Sequence, residues 1–192
     1  MAALNAIVKG LASEFSDVPT VSSSDAAEWM RDPNKKVVMF DVRSQQEYTT
    51  SHIEGAKQID PNIDQRALKA KIGSMCLTPD VAVVCYCSVG YNGSKFARNI
   101  QNILSETGDL QSVPKSDHQL GSSSATADSE STKMNNLTEK QGPTVYNLEG
   151  AIFKWANENR TMVDAQGHQT SLCHPYNQMW GKLLEEQKRA PL

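Results

Sequence analysis

Apolar residues near the start of the chain recur at helical spacing, with Leu4, Ile7, Val8 and Leu11 on one face of a helix. A short extended piece follows at Val18-Pro19-Thr20-Val21. Ser23 or Ser24 then caps a helix running to Met30, with Asp25 early in it where the helix dipole favours an acid. Asp32-Pro33-Asn34 supplies the turn chemistry that ends this helix. From Lys36 to Val42 the run is almost continuously apolar, the pattern of a strand buried on both faces of a parallel sheet.

The alternation then repeats. Ala56 to Asp60 reads as a short strand, and Ile63 to Ile72 as a helix closed by Gly73. Val81 to Tyr86 is the second strongly apolar strand, followed by a tight glycine-containing loop from Cys87 to Gly93. Ser94 to Leu104 carries Phe96, Ile100, Ile103 and Leu104 on one helical face. Val145 to Leu148 is a last strand, and Gly150 to Glu158 a helix with Ile152 and Trp155 facing inward. Strands alternating with helices in this way predict an α/β domain built on a parallel sheet.

One stretch breaks the pattern. From Thr107 to Pro143 the chain is rich in Ser, Thr, Asp, Lys and Gln and has no aromatic residue. Such a segment buries too little apolar surface to offset its ordering entropy, so it is expected to be a disordered insertion. The cost of closing a loop grows only logarithmically with its length, and a fold tolerates the insertion. The expected organisation is an N-terminal helical segment over 1–17, a domain over 18–160 interrupted by the insertion at 107–143, and a C-terminal extension over 161–192.

Composition narrows the function classes. The 192 residues carry 19 Lys+Arg and 22 Asp+Glu, a net charge of −3, with none of the basic excess that nucleic-acid binding favours. The longest apolar run, Val81 to Cys87, falls far short of the about 20 residues of a membrane span. Four cysteines are too few for a disulfide scaffold. Lys9 and Glu14 interrupt the apolar N-terminal stretch, which lacks the basic start of a signal peptide. These features predict a soluble, cytoplasmic, monomeric protein with free thiols, acting on neither membranes nor nucleic acid.

Cys87 concentrates the chemistry. It stands at the carboxyl end of a buried strand and just before a helix N-terminus, the edge where ligands bind in open α/β sheets. Backbone N–H groups of a tight loop entering a helix converge there and hold negative charge. That setting is expected to favour thiolate and lower the cysteine pKa from about 8.5 toward neutrality.

Other segments extend the pattern. Asp41-Val42-Arg43, Glu47-Tyr48 and His52-Ile53-Glu54-Gly55-Ala56 follow the first apolar strand. With Tyr86-Cys87-Ser88-Val89-Gly90-Tyr91 and Asn147-Leu148-Glu149-Gly150-Ala151-Ile152-Phe153-Lys154-Trp155, they resemble the rhodanese-like family in motif order and spacing. The tail His174-Pro175-Tyr176-Asn177-Gln178-Met179-Trp180 resembles an extension of some single-domain members. The resemblance implies a central parallel sheet flanked by helices on both faces. It also implies a sulfurtransferase in which Cys87 takes sulfur from a sulfane donor, becomes a persulfide, and passes the sulfur to a thiophilic acceptor.

On that resemblance Ser88, Val89, Gly90, Tyr91, Asn92 and Gly93 wrap the persulfide, Asp41 and Arg43 support the site, and neither cofactor nor metal is required. Partners are then a small-molecule or protein sulfur donor and a thiol acceptor. Many family members carry an arginine in this loop near the position of Asn92, whereas Asn92-Gly93 stands here. Thiosulfate is therefore expected to bind less well than in arginine-bearing relatives, and a persulfide donor to be less affected. Lys95 and Arg98 are the nearest downstream cations.

The remaining residues read more simply. Arg43 and Glu47, four apart, are expected to form a structural ion pair, and His52 to order a turn. Cys85 shares a strand face with Cys87 and is either a resolving thiol or, more simply, a core thiol. Cys76 and Cys173-His174 lack the donors a zinc site needs. Trp29, Trp155 and Trp180 are expected to pack. A cysteine phosphatase would need an arginine six residues after the cysteine, where Gly93 stands. A non-catalytic regulatory module is the other alternative, motivated by the missing loop cation and the Ser-rich insertion, which offers phosphorylation sites.

Overall fold

The structure is a computed structural model and describes residues 2–75, 77–109 and 142–192. Five strands, β1 (Thr20–Val21), β2 (Lys36–Asp41), β3 (Lys57–Gln58), β4 (Val81–Tyr86) and β5 (Thr144–Leu148), form one sheet in the order β1-β5-β4-β2-β3. Every pairing in it is parallel. β4 is central and all six of its residues are buried, which is why its sequence does not alternate.

Helices cover both faces. On one, α2 (Ser23–Arg31) and α6 (Ala151–Asn157) pack on Met39, Val84, Tyr86 and Leu148. On the other, α4 (Gln65–Ser74) and α5 (Tyr91–Asp109) pack on Phe40, Val83, Cys85 and Val145. Each fully buried large side chain contributes about 1.5–3 kcal/mol, so the two cores fix which way every residue of β4 points. Cys85 and Cys87 do fall on the same face. Outside the sheet layers lie α1 (Ala2–Glu14), anchored by the buried Leu4, and a C-terminal segment containing the hairpin β6 (Met162–Val163) and β7 (Gln169–Thr170) and the short α7 (Gln178–Gly181).

Several boundaries differ from the sequence reading. The N-cap of α2 is Ser22, whose side chain accepts the Asp25 N–H, rather than Ser23 or Ser24. Asp64 caps α4, and Gly73 lies inside that helix instead of closing it. α5 begins at Tyr91, three residues before Ser94, and continues past Leu104 to Asp109. It therefore includes Thr107 to Asp109, which the expected insertion had claimed, and the insertion between 110 and 141 lies outside the described residues, as does Cys76. A further helix, α3 (Gln45–Thr50), is present where the sequence reading had none. Its signal was in the chain: Ser44-Gln45-Gln46-Glu47 is a capping box, with Ser44 Oγ accepting from Glu47 N and Glu47 Oε2 accepting from Ser44 N. Among the described residues no helix is long and apolar enough to cross a membrane.

Candidate active site

Cys87 is the residue at which β4 leaves the sheet, and it is 5% exposed. The chain turns sharply after it because Gly90, with φ 119°, takes a conformation that a side chain would resist. That turn aims the Gly90 N–H at Cys87 Sγ, 3.1 Å away. Burial raises the thiol pKa, while the N–H groups of Gly93, Gly90, Val89 and Asn92 pull it down, and the net direction is upward. The expected depression is thus reversed in the resting protein: the desolvation of a thiolate exceeds what the four amides return. The amide cluster is nonetheless present, drawn half from the loop and half from the first turn of α5.

Gly93 serves packing. A Cβ there would lie 2.5 Å from Asn147 Oδ1 and 3.1 Å from the Tyr86 backbone. A side chain at that position would displace the Asn147 amide and crowd the Tyr86 backbone, and the loop from Ser88 to Gly93 carries no arginine to form the phosphate clamp of a cysteine phosphatase.

The loop is held from behind and from the side. Gly150 and Ala151 both have positive φ, which swings the start of α6 onto the loop. Its free N–H groups then donate to it, Ile152 N to Cys87 O at 3.2 Å and Phe153 N to Ser88 O at 3.1 Å. From the side, Ser88 Oγ donates to Glu47 Oε1 at 2.9 Å. Glu47 thus joins the α3 cap to the loop, a role that needed the tertiary structure to see.

Arg43 does not pair with Glu47. It forks onto Asp41, with Nε to Oδ1 at 2.9 Å and Nη2 to Oδ2 at 2.6 Å, and both side chains are buried. Nη2 also donates to Ser51 O, and Gln58 Nε2 donates to Arg43 O. Burial alone lowers the guanidinium pKa, but the Asp41 charge and hydrogen bonds carry it net upward. The reason for the correction is distance in the fold: Asp41 ends β2 and faces back on Arg43 through a two-residue turn, while the α3 cap occupies Glu47. His52 orders its turn as expected, donating from Nδ1 to Tyr48 O at 3.0 Å and stacking on Tyr48.

Above Cys87 lies a cleft of about 600 Å³. Ser88, Val89, Tyr91, Asn92 and Arg43 line it, and residues not expected there join them: Ile7, Leu11, Tyr176 and Trp180. Trp180 therefore packs and also faces the cleft. Lys95 lines the rim, whereas Arg98 turns away to Asp17 and Phe15. Cys85 is fully buried, its thiol pushed up by burial. Cys173 is also buried, and burial pushes its thiol up to about 11. His174, next to it, is held below its ordinary pKa chiefly by burial; its Nδ1 accepts from Tyr176 N. Among the described residues no three His, Cys, Asp or Glu side chains come together as metal ligands.

A family profile for the Rhodanese-like domain matches residues 22–158. The chain matches no curated protein. Among solved structures it is similar to the BH2092 protein from Bacillus halodurans, with a TM-score of 0.49 and 16% identity over 95% of this chain and 97% of that one. A thiosulfate sulfurtransferase from Pseudomonas aeruginosa gives 0.47 and 14% over 94% of this chain and 26% of that one. Ygr203w, a yeast protein tyrosine phosphatase of the Rhodanese family, gives 0.44 and 15% over 72% and 83%.

Proposed function

The chain belongs to the rhodanese-like domain family, and from that premise we propose that it is a sulfurtransferase that carries sulfur as a persulfide on Cys87. The observation that supports this most is the sulfur of Cys87 at the floor of a cleft with loop amides turned toward it.

The raised thiol pKa fits the chemistry when the charge is followed through the reaction. A donor persulfide RSS⁻ arrives ionised while Cys87 is protonated. The thiol proton passes to the donor's terminal sulfur, and the Cys87 thiolate so formed attacks that outer, sulfane sulfur; the new S–S bond forms as the donor's own S–S bond breaks. The thiol proton leaves with the departing RS⁻, giving RSH and the anion Cys87–S–S⁻. The loop amides then face an anion that needs no further deprotonation and projects from Sγ into the cleft, so they favour the loaded state over the resting one. An acceptor thiol R′SH reverses the sequence, restoring the Cys87 thiol and leaving as R′SS⁻. Thiosulfate, a dianion, lacks a guanidinium partner in this loop and loads more slowly.

Incubation of the protein with a persulfide donor, and separately with thiosulfate, tests this by intact mass. The expected result is a gain of one sulfur, faster from the persulfide, absent in Cys87→Ser and removed by cyanide or excess thiol. No gain from either donor would sink the reading and leave a non-catalytic binding module.

A further inference from the structure

Two walls of the cleft come from outside residues 22–158, the part of the chain that the family profile matches. Ile7 and Leu11 of α1 form one, and Tyr176 and Trp180 of the C-terminal segment form the other. Both walls are fixed in place. Leu4 anchors α1 in the core at 1% exposure. The C-terminal segment is tied to α6 through Asn157, whose Nδ2 donates to Leu183 O at 2.8 Å and whose Oδ1 accepts from Glu185 N at 2.9 Å, and it buries Cys173 and Leu184 in the core. Asn177 caps α7, and Gly181 sits so close to Pro175 that a Cβ there would lie 2.8 Å from the proline ring. Tyr176 itself holds φ 63°, a left-handed conformation that non-glycine residues rarely adopt, and remains 55% exposed.

The charges around the cleft are not equivalent. Arg43 is buried, with Nε and Nη2 forked on Asp41 and Nη1 enclosed without a hydrogen-bond partner among the described residues, and Glu47 is held by Ser44 and Ser88. Lys95 is exposed and has neither ion pair nor hydrogen-bond partner among the described residues. A cleft of about 600 Å³ lies within the about 300–1,000 Å³ of small-molecule sites, and an inorganic donor would leave most of it empty.

We propose that the sulfur donor is the persulfide of a small organic thiol with an apolar body and a carboxylate. The body lies between Ile7 and Leu11 on one side and Tyr176 and Trp180 on the other; the carboxylate meets Lys95, and the sulfane sulfur reaches Cys87. This rests on the sulfur-transfer reading and leaves its atom and charge balance unchanged. Apolar burial supplies most of the preference, because one exposed ammonium contributes little in water.

The test measures the rate of sulfur gain at Cys87 in the full chain, each rate divided by the same donor's rate with free cysteine. The donors are thiosulfate and the persulfides of 3-mercaptopropionate, 2-phenylethanethiol and 2-mercapto-3-phenylpropionate. The last, which has both features, is expected to be fastest and thiosulfate slowest. Lys95→Gln is expected to shrink the preference for 2-mercapto-3-phenylpropionate over 2-phenylethanethiol by about threefold, less at high salt. Tyr176→Ala is expected to shrink the preference for phenyl-bearing donors by about fivefold. Equal normalised rates, or a ranking untouched by either variant, would overturn the inference and leave the sulfurtransferase reading standing. A chain in which no donor loads Cys87 would overturn both.

Discussion

Cys85 and Cys87 stand two residues apart, on the same sheet face and in the same apolar core, yet they occupy different chemical worlds. Cys85 is inside β4, paired in register with Phe40 and Asn147, and burial is what raises its pKa. Cys87 is one step beyond the last β4 residue, where the backbone amides are no longer used up by neighbouring strands. Those amides turn toward its sulfur and a cleft opens above it. The strand and the loop teach that burial alone makes a cysteine inert, while burial among unspent N–H donors makes a seat for an anion.

The contrast is sharpest in reactivity. With a small neutral alkylating agent under native conditions, Cys87 is expected to label roughly a thousandfold or more faster than Cys85, since reaching Cys85 requires opening a core strand at a cost of several kcal/mol. Peptide mapping against time measures the ratio; comparable rates would mean that β4 opens locally and the two environments are not distinct.

The next largest effect lies in the charge that ends β2 beside this loop. Asp41→Ala leaves the Arg43 guanidinium buried without its carboxylate and is expected to cost about 3–5 kcal/mol in urea unfolding. A loss under about 1 kcal/mol would show that Arg43 finds another acceptor.

Gly93→Ala disturbs the loop and leaves both thiols in place. Its methyl collides with Asn147 and the Tyr86 backbone, displacing the first turn of α5 at an expected cost of about 1–3 kcal/mol. Sulfur loading should fall with it, because the Asn92 and Gly93 amides move; unchanged loading would show that Val89 and Gly90 suffice.

The smallest effect is in the pH profile. Since burial raises the Cys87 pKa, its thiolate forms only as pH climbs, and the alkylation rate should turn upward above the about 8.5 of a free cysteine. The sign for stability follows: on raising the pH the unfolded chain loses this proton first, so the thiol stabilises the fold below its unfolded pKa and that contribution fades through the alkaline range. An inflection below that of free cysteine would reverse the assignment.

Much of the fold was legible because parallel strands buried on both faces have no alternative composition. Lys36–Val42 and Val81–Tyr86 announced β2 and β4, and the loop that follows β4 announced Cys87. Local chemistry was harder. The overlooked capping box at Ser44 hid α3, and the turn at Gly90 brought α5 forward to Tyr91. The ion pair of Arg43 was misassigned because sequence spacing suits a helix, whereas Arg43 lies in the turn between β2 and α3.

By itself, then, the sequence determined the α/β architecture, the strand order's raw material and the cysteine at the sheet edge, because periodicity, apolar runs and glycine placement act over a few residues. Only the tertiary structure decided the direction of the Cys87 pKa, the partner of Arg43, the link from Glu47 to Ser88, and the walls that α1 and the C-terminal segment give the cleft. Each of these is a balance between groups far apart in the chain: desolvation against amides, one carboxylate against another, two chain ends meeting over one sulfur. Such balances are set by distance in space, which residue spacing along the chain does not encode.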